Sequence, residues 1–117
     1  MLGKTGFGYA IINFHHDWDE SHYRNEKIKA EMIDVVCNFP GINCLRPCSD
    51  CKKRDNGGVF DGKIVIKNNH SAGIIVAIRV RYKDDKKERV STLASEVVSK
   101  LDKVSSFSVT YSSAPLF

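Results

Sequence analysis

The run from Gly73 to Tyr82 constrains this chain most: Ile74, Val76, Ile78, Val80 and Tyr82 share one parity, while Arg79 and Arg81 fall on the other. Side chains alternate across a strand, so the run is a β-strand with one face in a core and the other partly wet. Lys63-Ile64-Val65-Ile66 is a second β-branched run, and the turn-forming Asn68-Asn69-His70-Ser71 between the two predicts a hairpin. After the charged Lys83 to Glu88, residues Val90, Leu93, Ala94, Val97, Val98 and Leu101 recur at helical spacing and form one apolar face. That face must lie on the apolar side of the sheet. Asp85, with Glu88 three positions on, has the form of a capping box and starts this helix near Lys86. Phe107, Val109 and Tyr111 then alternate with Ser106, Ser108, Thr110 and Ser112, the pattern of a half-buried strand returning to the sheet.

Upstream, residues 7–14 read as a first strand that is apolar on both faces. The polar His15-His16-Asp17-Trp18-Asp19-Glu20-Ser21-His22 reads as a loop. Ser21 is placed to cap a helix running to Val36 or Cys37, with Ile28, Met32 and Val35 or Val36 at helical spacing. Phe39-Pro40-Gly41 ends it. Residues 43–58 carry no periodicity and read as the longest loop, closed by the turn signal Asp55-Asn56-Gly57-Gly58. The order strand, helix, strand, strand, helix, strand predicts an α+β domain spanning 1–117. It is expected to be a two-layer sandwich with two helices on one face of a four-stranded sheet.

A chain of 117 residues, 42% hydrophobic and 27% charged, is long enough to bury one core without staples. Neither an apolar span nor a leader-like start is evident, which sets a cytoplasmic expectation. The net charge of +4 is mildly basic. It fits weak attraction to nucleic acid or anionic lipid but is also common in proteins that bind neither.

Residues with distinctive chemistry sit in two clusters. Cys44, Cys48 and Cys51, with Cys37 upstream, offer one Cys-x2-Cys corner for zinc. A structural zinc site takes four ligands and usually two such corners, so thiols in a loop are the competing reading. His15, His16, Asp17, Asp19, Glu20 and His22 could suggest acid–base chemistry or a metal. No nucleophile motif, phosphate-binding glycine loop or His-Glu-x-x-His pattern accompanies them, so a solvated loop is preferred and no catalytic residue is assigned. The segment from Lys4 to Phe14 echoes the aromatic signature of an RRM, and the element order matches as well. That signature belongs on the third strand, however, so Phe7, Tyr9 and Phe14 are read as core or edge packing.

The segments Ala30 to Ile42, ending in Asn38-Phe39-Pro40-Gly41, then Asp61-Gly62-Lys63-Ile64-Val65-Ile66, then Ile75 to Tyr82, resemble the alkaline shock protein family of Gram-positive bacteria and their relatives. The resemblance runs from about Ile28 to Tyr111. It implies a non-enzymatic cytoplasmic protein linked to cell-envelope stress, self-associating or acting as a scaffold, in some members held at the membrane by a partner. It implies no catalytic or ligand-binding residue. The His-rich opening and the cysteine cluster depart from the family pattern. The alternative expectation is a small nucleic-acid-binding module using Lys52, Lys53, Arg54, Arg79 and Arg81, or a zinc domain built on the cysteine-rich loop.

Overall fold

The computed structural model describes residues 6–39, 42–46, 60–69 and 71–113, with 42–46, 60 and 61 described by backbone alone. In chain order the elements are β1 (Phe7–His16), α1 (Glu20–Tyr23), α2 (Glu26–Cys37), β2 (Ile42–Arg46), β3 (Phe60–Asn69), β4 (Gly73–Lys83), a 3-10 turn at Asp84–Lys86, α3 (Glu88–Lys100) and β5 (Val104–Ser112). The protein is α+β. Its antiparallel strands lie in the order β3-β4-β1-β5, and β2 adds to β3 in parallel at the edge.

The hairpin forms where the turn residues placed it. Asn69 pairs with Gly73 across residues 70–72, and the Asn69 side chain accepts from the Ser71 backbone N–H at 3.1 Å. Gly73 takes φ +81, the left-handed conformation that closes such a loop without a Cβ penalty.

The parity of β4 sorts the whole sheet. Val76, Ile78, Val80 and Tyr82 are buried, level with Ala10, Ile12 and Phe14 of β1 and Ile64 of β3. Met32 and Val36 of α2 join the same cluster, as do Val90, Leu93, Ala94 and Val97 of α3. Both long helices therefore contribute their apolar side chains to the cluster that this parity of β4 lines. Each fully buried aliphatic side chain contributes roughly 1.5–3 kcal/mol, far more than the solvated ion pairs on the helix surfaces.

Three local expectations are corrected. The first helix is two helices: Asp19, not Ser21, caps α1, and Asn25 caps α2 through its side chain at 2.9 Å from the Lys27 N–H. Two Asx caps this close restart the helix instead of continuing it. The Asp85–Glu88 box does not form; α3 starts at Glu88 with no side-chain cap, after the 3-10 turn. The stretch 43–58 is not all loop, since β2 reaches to Arg46. A short edge strand draws its pairing from β3 and needs no hydrophobic period of its own.

At Gly62 (φ +158) a Cβ would stand 1.8 Å from the Arg79 carbonyl oxygen, so the close approach of β3 to β4 excludes any side chain there. At Gly73 nothing lies within 4 Å. Gly73→Ala should therefore cost about 1 kcal/mol through φ alone. Gly62→Ala must also push the strands apart and should cost about 3 kcal/mol or more, read as a lowered urea midpoint.

Candidate functional site

The histidine-rich segment holds the fold together. His16 ends β1, and its Nδ1 accepts from the Trp18 N–H at 2.9 Å. That bond puts the ring proton on Nε2, which donates to the Ile74 carbonyl at 2.8 Å. Trp18 is only 6% exposed and directs its Nε1–H at the Asp102 carbonyl, 3.4 Å away. The Asp17 N–H donates to the Lys103 carbonyl at 2.9 Å. Lys103 takes φ +66, so this junction fixes the tight turn between α3 and β5. Asp19 and His22 make a capping box at α1. The segment expected to be a solvated loop is instead strand end, buried Trp18 and capped helix turn.

The second candidate is the sheet face that no described helix covers. Cross-strand register sets its rows: Lys63, Arg79, Ile11 and Thr110 in one, and Val65, Ala77, Asn13 and Ser108 in the next. Another row holds Arg81, Tyr9 and Ser112, with Asp61 opposite Arg81 on β3. Lys67 lies opposite Ile75, and Lys83 opposite Phe7. Neighbouring residues on one face of a strand are about 7 Å apart and strands about 4.8 Å apart, so these side chains form a grid. Lys63, Lys67 and Lys83 are exposed, while Arg79, Arg81 and Tyr9 are half-buried. Phe7 is 47% exposed, and the Arg81 guanidinium lies over its ring at 4.6 Å. Apart from Asp61, no Asp or Glu occupies a position of this face among the described residues.

Of the residues singled out in the sequence, Arg79 and Arg81 come together here, side by side on β4. Lys52, Lys53 and Arg54 lie outside the described residues, as do Cys48 and Cys51, while Cys44 is placed by its backbone on β2. Cys37 is half-buried at the last turn of α2. Among the described residues no group of three His, Cys, Asp or Glu could hold a metal ion. No described helix is long and apolar enough to cross a membrane. Phe14 is a core residue, but Phe7 and Tyr9 are not: their parity puts them on the uncovered face. Sequence reasoning left out Lys63 and Lys67, and it read the two rings, for all their RRM-like echo, as packing residues. The signal was the alternation Lys63-Ile64-Val65-Ile66-Lys67, which assigns both lysines to one side.

No family model, curated protein or solved structure matches this chain.

The Asp19 carboxyl is held near 2, below its ordinary 3.8, by the Ser21 side-chain hydrogen bond and then by the His22 backbone N–H. A carboxyl depressed in the folded state stabilises above its unfolded pKa and loses that contribution as pH falls through its folded pKa. Wild type should therefore exceed Asp19→Asn in stability at neutral pH, and the gap should close between about pH 4 and pH 2. Thermal unfolding of both proteins across that window checks it.

Proposed function

We propose that this protein is a non-enzymatic binding module that holds single-stranded nucleic acid on its helix-free sheet face. The observation that carries the reading is the grid of Lys63, Lys67, Arg79, Arg81 and Lys83, interleaved with the rings of Phe7 and Tyr9. Lysine and arginine neutralise phosphates, and displaced counterions supply affinity. Rings and guanidinium planes offer surfaces on which unpaired bases stack. Asn13, Ser108 and Thr110 add hydrogen-bonding groups within the same rows. A lipid surface would call for a larger continuous apolar area than Ile11, Val65 and Ile75 supply among these charges.

The strand order supports the reading at the level of fold. Without β2, the chain runs β-α-β-β-α-β with the first and third strands central, as in the ferredoxin-like split βαβ arrangement. In this reading the helices form one layer and the sheet the other, leaving a free face like the one RRMs use. Here the rings stand on β1 alone, and Arg79 and Arg81 occupy the other central strand. This favours weak sequence preference, because phosphate contacts carry no base information.

A second reading keeps the alkaline-shock resemblance: a self-associating or partner-binding scaffold in the cytoplasm or at a membrane-anchored partner. The uncharged edge strand β5 favours it.

Fluorescence anisotropy with a labelled single-stranded RNA should show binding that weakens steeply between about 50 mM and 200 mM salt. Arg79→Ala/Arg81→Ala should lower the magnitude of the log–log salt slope by about 1.4, near 0.7 for each phosphate no longer neutralised. Tyr9→Ala should weaken binding by about 1–3 kcal/mol with little change in slope. Absence of binding at low salt, or a slope unmoved by the double variant, would overturn the reading.

A further inference from the structure

Strand β5 ends the sheet, and among the described residues no element covers its outer edge. Natural edge strands discourage pairing with lysines, prolines or inward charges. From Val104 to Ser112 the sequence VSSFSVTYS has none of these.

The same strand reads almost identically in both directions. About Val109, Ser108 mirrors Thr110, Phe107 mirrors Tyr111 and Ser106 mirrors Ser112. Two copies related by a two-fold axis pair antiparallel edge to edge, with the residue on the axis facing itself and each residue facing its mirror position. In an ordinary strand that symmetry sets unlike sizes or like charges against each other. Here it sets ring against ring on the helix side and hydroxyl against hydroxyl on the other, both favourable cross-strand pairs.

The helix side has an uncovered apolar strip that such pairing would close. Tyr111 is 38% exposed, with the Lys87 ammonium over its ring at 4.4 Å, and Phe107 is half-buried. Beside Phe107 runs a groove between α3 and β5 lined by Ser95, Val98, Ser99, Ser105 and Ser106. Four of these five side chains are serines, small enough to leave the groove beside Phe107 open to a ring from a second copy.

We propose that β5 is a self-recognition edge: two copies of this chain join antiparallel about Val109, making one continuous sheet with all helices on one side. The contact is isologous and closes at two copies, since it uses up the edge that forms it. It does not depend on the ligand assigned to the helix-free face.

Sedimentation equilibrium of the full chain without nucleic acid tests this, from about 1 µM to about 500 µM at low salt, where surface charges are least screened. The apparent mass should rise from 13.1 kDa toward twice that value. Ser108→Lys/Thr110→Lys puts lysine opposite lysine at two places and should weaken association at least about tenfold. Ser108→Lys/Thr110→Glu puts lysine opposite glutamate at the same places and should stay within about threefold of wild type. Both positions are exposed, and circular dichroism confirms that each variant is folded. A wild type that stays monomeric throughout overturns the proposal. So does a dimer that the two-lysine variant leaves intact, loss of association in both folded variants, or a series of masses beyond the dimer.

Discussion

One constraint governs the rest of the molecule: the two parities of β4 cannot be exchanged. Val76, Ile78, Val80 and Tyr82 are buried on one side, and Arg79 and Arg81 stand on the other. A register slip of one residue would drive two guanidinium groups into the core and push four core side chains into water. Burying an unpaired charge costs several kcal/mol, enough to cancel the net stability of a domain this size. β3 and β1 are bound to β4 by that register. The sidedness of Lys63, Lys67, Phe7 and Tyr9 follows from it.

The second level of organisation is at the end of β1. His16, Asp17 and Trp18 link the backbone at Ile74, Asp102 and Lys103, which belong to β4 and to the α3–β5 turn. Three elements distant in sequence are thus held by hydrogen bonds whose buried members all have partners: no buried side-chain nitrogen or oxygen among the described residues lacks one. A residue set that resembles a catalytic cluster in one dimension serves here as a clasp. The difference lies in what each ring nitrogen faces, a backbone group in each case for His16, and a linear sequence does not record that.

The parts of the fold legible in the sequence are those whose signal is local and periodic. β3, β4, α3 and β5 announce themselves by alternation or by a helical stripe, and the Asn69–Gly73 turn by its residue types. β2 was not legible because a short parallel edge strand takes its pairing from β3. The break between α1 and α2 is not legible because Asp19, Ser21 and Asn25 are all competent caps, and residue type alone does not say that two of them, Asp19 and Asn25, each start a helix. For the candidate site, parity alone was enough to find Arg79 and Arg81. The alternation in β3 puts Lys63 and Lys67 on one side, but only the hairpin register, with Lys63 opposite Arg79, says that it is the same side as the arginines.

Two large apolar side chains stand out in solvent among the described residues, Phe7 and Tyr111, and they lie on opposite faces of the sheet. Phe7 shares the open face with Arg81, whereas Tyr111 pairs with Ala10 and sits against Tyr82 on the helix side. Both rings nevertheless border one cavity at this end of the sheet, which Gly8, Tyr82 and Lys87 also line. Away from that cavity the sheet presents two surfaces of different character, a charged grid on the helix-free face and an uncharged edge at β5. Extending the sheet through β5 would leave the grid of each copy uncovered and facing the same way, because strand addition continues a sheet without flipping its faces. The two surfaces are compatible for that geometric reason: edge pairing consumes backbone groups in the plane of the sheet, while the grid projects out of it.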